Sequence, residues 1–373
     1  MISAADFTAV LHAHGVDFVS GVPCSYFNGP LVLLTGQGRY VPAANEGAAW
    51  SLAAGATATG VRAAVFAQNS GLGNLINPLT SLSMPYRLPV LLFLSLRGWP
   101  DPEGDEPQHA VMGPATHRVL DALGVWNHTL PAGCGRPGLD AALHAAAHPL
   151  AQGRPAVVLV PKGTVGTANG TPPPAGPGLR RADAVRALVN HLDATAVVAT
   201  TGYTARELFA QKDAPHHFYL QGSMGHAAAF GLGVALSRPD ERVLVLDGDG
   251  AALMHLGSMS TVGATAPPNL VHAVLDNGVY ESTGAQPTTA TATDFPGIGR
   301  ATGYRTQALV HDEDQLARAA AALRDRPGPH LLVVRTLAGS GAAPPRATSA
   351  MTAVDIHTRF TASFGAPAAW RAR

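Results

Sequence analysis

The chain has 373 residues, room for two or three domains, and its 46% hydrophobic against 13% charged residues describe a well-buried globular protein. Basic and acidic residues balance to a formal net charge of zero, so nothing global points to nucleic acid or a membrane surface. No apolar run reaches the roughly 20 residues a bilayer span needs. "MISAADFTAV" lacks the layout of a signal peptide, and two cysteines, Cys24 and Cys134, make no disulfide framework, which suggests a reducing cytoplasm.

In chain order, Ser3 and Asp6 are spaced as a capping box and predict a helix over 4–14. "VDFVSGV", "AAVFA", "PVLLFLSL" and "PAVVLV" read as buried parallel strands. Helices are expected near 45–60, 71–83, 115–124 and 138–150. "GTVGTANGTPPPAGPGL", residues 163–179, then breaks the chain. The expected organisation is one domain over 1–165, a linker over 166–180 and a second domain over 181–373. In the second half, "AVVAT", "HFYLQ", "RVLVLD", "NLVHAVLD" and "HLLVVRT" are the strands. Helices are expected near 182–192, 203–211, 224–237, 255–265, 312–325 and 351–364, with a loop over 338–349. The predicted fold is two doubly wound α/β domains with parallel sheets and no central third domain.

Ligands of such sheets sit beyond the carboxyl ends of the strands. There "RVLVLD" runs into Gly248-Asp249-Gly250, and "LVHAVLD" into Asn277-Gly278-Val279-Tyr280. A lone GDG is usually only a turn. If the two strands are neighbours, Asp249 and Asn277 share one sheet edge. A carboxylate, an amide oxygen and a backbone carbonyl are hard ligands suited to Mg²⁺ or Ca²⁺ beside a phosphate. Gly250 and the residues after it offer backbone N–H groups.

Here the sequence resembles the thiamin-diphosphate enzymes, whose signature is Gly-Asp-Gly followed by an Asn pair. Asp276 replaces the first Asn and Asn277 keeps the second. The resemblance implies Mg²⁺ ligands Asp249, Asn277 and the Val279 carbonyl, with cofactor contacts from Gly248, Gly250, Ala251 and Tyr280. "GSMG" resembles the segment that props the bent cofactor, implying contacts from Gly222, Ser223 and Met224; by itself Met224 is a core methionine. "PAANEGAAWSLAAGAT" places Glu46 at a helix start, where the helix dipole alone favours a glutamate. The resemblance makes it the glutamate that shares a proton with the cofactor's aminopyrimidine. The halves become pyrimidine-binding and diphosphate-binding domains, and the family's sites lie between subunits, which implies at least a homodimer.

"SGVPCSYF", "RGWPDPEGDEPQHAVMG" and "DNGVYESTGAQ" are similar to the phosphonopyruvate decarboxylase family, with sulfopyruvate decarboxylases next. That resemblance implies decarboxylation of a small anionic 2-keto acid, with carboligation as an alternative. Relative to pyruvate decarboxylases, Ser25 and Thr283 stand where carboxylates would oppose an anionic head group. His109 is a proton donor or relay, or else structural like most of the 16 histidines. Arg97 is a bidentate phosphonate ligand or an ordinary surface arginine. Ser25 and Asn28 are hydrogen-bonding candidates, and Cys24 a small buried thiol. "NSGLGN", 69–74, is a weak dinucleotide fingerprint, better read as a loop near the pyrimidine. A nicotinamide oxidoreductase lacks its fingerprint here, and a cofactor-less regulatory subunit would have no need of Glu46, Asp249 and Asn277 together.

Overall fold

A computed structural model describes residues 1–168, 177–339 and 344–365. The expected linker and the loop over 338–349 fall partly outside them. The chain divides into two compact units, Met1–Thr171 with Thr283–Pro287, and Pro172–Ser282 with Thr288–Arg373.

The first unit begins with α1 (Ala4–Ala13), whose N-cap Ser3 accepts from the Asp6 N–H at 3.0 Å. Next come β1 (Phe18–Gly21), α2 (Asn28–Gly36), β2 (Tyr40–Pro42), α3 (Glu46–Ala58), β3 (Ala63–Gln68), α4 (Leu72–Pro78) and α5 (Met84–Tyr86). β4 (Leu91–Ser95), α6 (Met112–Ala122), β5 (Trp126–Thr129), α7 (Arg136–Ala151) and β6 (Ala156–Val160) complete the unit. The helix expected over 71–83 is interrupted. Pro78, which has no N–H to donate, leads into a π turn over Leu79–Ser83.

The second unit contains α8 (Arg181–Leu192), β7 (Ala196–Ala199), α9 (Tyr203–Gln211), β8 (His217–Tyr219), α10 (Ala227–Ser237) and β9 (Val243–Gly248). α11 (Asp249–Met254), α12 (Gly257–Thr265), β10 (Leu270–Asp276), β11 (Val279–Tyr280), β12 (Gln286–Pro287, within the first unit's segment) and α13 (Phe295–Thr302) follow in the chain. β13 (Thr306–Val310), α14 (Glu313–Leu323), β14 (His330–Arg335) and α15 (Ala353–Ala362) end it. Instead of one helix over 255–265, helix already begins at Asp249. It breaks at His255, which leaves helical geometry (φ −130°, ψ 54°), and resumes at Gly257.

The sheet orders are β2-β1-β3-β4-β6-β5 and β13-β14-β10-β9-β7-β8, and every pair within them is parallel. Counted one to six within its own half, each sheet reads 2-1-3-4-6-5, the second in mirror listing. The fold is thus one doubly wound topology used twice.

Strand periodicity explains the layers, because alternate side chains face opposite sides. On β3, Ala64 and Phe66 join Phe7, Phe27 and Phe93 under α1, α2 and α7. Val65 and Ala67 join Trp50, Leu72 and Leu120 under α3, α4 and α6. On β9, Leu244 and Leu246 pack towards α8 and α14, and Val243 and Val245 towards α10 and α12. Among the described residues no helix is long and apolar enough to cross a membrane.

Candidate active site

In the first unit, the carboxyl ends of the adjacent strands β1, β3 and β4 converge with the start of α3. Asn45 caps α3, its side chain accepting from the Ala48 N–H at 2.9 Å. Glu46 is therefore the first helical residue, and it is only 6% exposed. Asn74 on α4 donates its amide to Glu46 Oε2 at 2.8 Å. Gly71 supplies the space: a Cβ there would run into Glu46 Cγ, Cδ and Oε1. The carboxylate is thus held on one oxygen and given room at the other.

Asn69 ties in the next strand end. Its side chain donates to the Arg97 carbonyl at 2.9 Å and accepts from the Arg97 N–H at 3.2 Å. The Arg97 side chain is only 16% exposed. Its Nε donates to Asp105 Oδ2 at 2.8 Å, a second nitrogen reaches Oδ1, and the guanidinium lies 5.0 Å from the Tyr26 ring centroid. Burial pushes the Asp105 carboxyl up, but Arg97 and the Glu106 and Gly98 N–H groups outweigh it and hold it well below the usual range. Asp105 thereby offsets the charge of Arg97 and leaves it as a source of N–H donors.

His109 is buried on the same loop, its backbone against Gly98, whose φ of +68° suits glycine. Ser25 is exposed in the 3-10 turn Ser25–Phe27. Asn28 Oδ1 accepts from the Ala168 N–H at 2.9 Å, and its Nδ2 donates to the Thr283 carbonyl at 3.3 Å, leaving its second N–H for another acceptor. Cys24 is 1% exposed, 3.1 Å from Ser95 Oγ, with its thiol pushed up by burial. That is the inert arrangement.

In the second unit, β9 and β10 are neighbours, with Gly248 in register with Leu275. Asp249 and Asn277 therefore stand just past adjacent strand ends. Asp249 is 3% exposed, and its Oδ2 accepts from the Thr288 hydroxyl at 2.5 Å. Burial, with a further push from Asp276, raises its carboxyl to about 7 against the pull of Thr288. Such a carboxylate gains from a cation beside it. Asn277 Oδ1 accepts from the Val279 N–H at 3.0 Å. The Tyr280 ring covers Gly250 so closely that a Cβ would collide with it. Ala251 and Val279 are buried alongside. Asp249, Asn277 and the Val279 carbonyl are hard oxygen donors of the kind that could hold a small divalent cation.

Asp276, the departure from the Asn pair, has its own explanation. It lies in register with Arg335 of β14 and is ion-paired to it, while its Oδ1 accepts from the Gly278 N–H at 3.2 Å. After β8, Gly222 and Met224 are half-buried, and Ser223 takes a left-handed φ of 52° before Gly225 at 88°. A non-glycine residue held there costs about 1–3 kcal/mol. These two residues also delay α10 to Ala227.

Sequence reasoning missed Asn74, Asp105, Thr288 and the network around Glu281. Asn74, Asp105 and Glu281 lay in stretches already singled out, "NSGLGN", "RGWPDPEGDEPQHAVMG" and "DNGVYESTGAQ", but their partners were not legible there. Thr288, 39 residues from Asp249, and Arg181, 100 from Glu281, make contacts across long sequence separations that leave no local pattern.

Residues 2–112 match the N-terminal TPP binding domain of thiamine pyrophosphate enzymes, and residues 198–334 match the C-terminal one. Fold and strand-end chemistry thus define a two-part thiamine pyrophosphate enzyme. The chain is 41% identical to the phosphonopyruvate decarboxylase of Streptomyces viridochromogenes, covering 99% of this chain and 96% of that one. It is 41% identical to the phosphonopyruvate decarboxylase of Streptomyces hygroscopicus over 92% and 90%, respectively. A sulfopyruvate decarboxylase of Methanosarcina acetivorans is 28% identical over 83% of this chain and 85% of its own. The chain belongs to the phosphonopyruvate decarboxylase family of thiamine pyrophosphate enzymes.

Proposed function

We propose that the protein decarboxylates 3-phosphonopyruvate to phosphonoacetaldehyde and CO₂, with thiamin diphosphate and Mg²⁺, on a cytoplasmic route to phosphonate natural products. The observation that carries this reading is the likeness to two phosphonopyruvate decarboxylases along nearly the whole chain. Residues 1–165 act as the pyrimidine-binding domain and 181–373 as the diphosphate-binding domain, joined by the linker 166–180. The working form is a homodimer or larger, with sites between subunits.

Asp249, Asn277 and the Val279 carbonyl hold Mg²⁺. Gly222, Ser223, Met224, Gly248, Gly250, Ala251 and Tyr280 line the cofactor. When bound, thiamin diphosphate supplies the electron sink for the carbanion left as CO₂ departs. With Asn74 on Oε2, Glu46 would hold or move a proton at Oε1, the atom it would present to the cofactor's aminopyrimidine. His109 donates or relays the proton that completes the aldehyde. Ser25, the remaining N–H of Asn28 and the donors of Arg97 receive the phosphonate. With Asp105 against Arg97, they do so by hydrogen bonding more than by net charge.

The test is one parallel assay with thiamin diphosphate and Mg²⁺, offering phosphonopyruvate, sulfopyruvate and pyruvate and following aldehyde through a coupled alcohol dehydrogenase. We expect preference for phosphonopyruvate by about 100-fold or more, which needs only about 2.7 kcal/mol of differential binding. Preference for sulfopyruvate would reassign the head group and keep the chemistry. No aldehyde from any of them, with cofactor bound, would overturn the decarboxylase reading.

A further inference from the structure

Glu281 lies four residues beyond Asn277, and both of its carboxylate oxygens are engaged. Its Oε2 accepts from Asn277 Nδ2 at 3.1 Å and from Arg181, and its Oε1 accepts from the Gly339 N–H at 3.0 Å. Arg181, at the start of α8, reaches Glu207 of α9 with its other arm at 3.3 Å, and its guanidinium lies 4.9 Å from the Tyr203 ring centroid. The three charged side chains are 6%, 10% and 11% exposed for Arg181, Glu207 and Glu281. This is a built, buried anchor.

An asparagine amide can present either end. Only its oxygen can ligate a hard cation; the NH₂ end has no lone pair to give. Here the choice is forced twice. The Val279 N–H requires an oxygen on one side, and the Glu281 carboxylate requires an N–H donor on the other. Turning the amide over would set oxygen against carboxylate and NH₂ against N–H. Both contacts would be repulsive, in a place where an unpaired polar group costs about 1–3 kcal/mol. Outer partners of this kind typically account for 10–100-fold in metal affinity.

We propose that Glu281, anchored by Arg181, is a positioning residue that fixes the Asn277 amide with its oxygen turned to a divalent cation. The proposal rests on reading Asp249 and Asn277 as cation donors. The test separates the two ideas. Full-length, metal-stripped protein is incubated with a fixed concentration of thiamin diphosphate and titrated with Mg²⁺, and cofactor retained after desalting is measured. Thermal melting without Mg²⁺ checks that each variant folds.

Glu281→Gln should raise the Mg²⁺ requirement 10–100-fold. Glu207→Gln, which alters the same arginine without touching Asn277, should change it by less than about threefold. Asn277→Asp makes the two oxygens equivalent, so adding Glu281→Gln in that background should cost nothing further. Persistence of the full loss there, or an equal loss from Glu207→Gln, would overturn positioning in favour of a general structural role. An unchanged Mg²⁺ requirement in Glu281→Gln would overturn it as well. Wild-type retention in Asn277→Ala would instead remove the underlying reading of the donors. Should Glu281→Gln fail to fold, Glu281→Asp, one methylene short of the amide, takes its place in the same comparison.

Discussion

The two units share one strand order, 2-1-3-4-6-5, and use the same edge of it for opposite purposes. In the first, three side chains and one absent Cβ are arranged around a single carboxylate. Asn45 caps the helix, Asn74 holds one oxygen, Gly71 clears the other, and Asn69 ties the next strand end beside them. In the second, oxygen donors stand at the ends of adjacent strands and the chain comes close through glycines. On the proposed roles, the first edge would move a proton and the second hold charge. Topology decides where an edge lies, and the residues on it decide the chemistry.

The sharpest way to break this division is a pair of variants. Asp249→Ala should lose cofactor retention on desalting with Mg²⁺, and turnover with it. Glu46→Ala should retain the cofactor while turnover falls by about 10²–10⁴-fold, the usual weight of one positioned acid–base group. Equal loss of cofactor in both would mean the edges are not specialised. Next in size is Gly71→Ala. Its methyl displaces the Glu46 carboxylate, and misplacement of about 1 Å can cost about 100-fold in kcat. Gly73→Ala, two residues on and meeting nothing within 4 Å, should leave kcat unchanged. A silent Gly71→Ala would refute the claim that the missing Cβ matters.

The smallest effect concerns stability in the second unit. His217 is fully buried, and burial, reinforced by His216, lowers it to about 4 from an ordinary 6.5. Between those values the unfolded chain binds the proton and the native state resists it. The contribution is therefore whole above about pH 6.5 and lost as pH falls towards 4. Melting temperatures across that window should fall less steeply in His217→Phe than in the parent.

The central strands were legible because burial on both faces writes itself as continuous apolar runs, as in "AAVFA" and "RVLVLD". Glu46, Asp249 and Asn277 were legible because short motifs place them at helix starts and strand ends. Less legible were β5, "WNHT", half-buried throughout, and β13, "TQALV", largely half-buried with an exposed Leu309. Both are outer strands whose polar side chains erase the apolar signal. Helices α2 and α13 begin with "NGP" and "FPG", which read as turns although proline suits the first helical turn. The partners that shape the site were hidden for another reason. Asp105 meets Arg97 through the fold of one loop, whereas Thr288 for Asp249 and Arg335 for Asp276 are meetings that only the folded topology arranges.

Those outer strands also carry a consequence for synthesis. β5 is hydrogen-bonded only to β6, and β13 only to β14, and in each case the partner is the later strand in the chain. A ribosome releases β5 before its neighbour exists and must add about 27 residues, from Thr129 to Ala156, before β6 begins. At about 5–20 residues per second that is a wait on the order of seconds. A nascent strand of "WNHT" can bear that wait because its one apolar ring, Trp126, is followed by three polar side chains and makes no continuous apolar run to pair with a neighbouring chain. The polarity that obscures β5 in the sequence is what keeps the half-made sheet from pairing with the wrong partner.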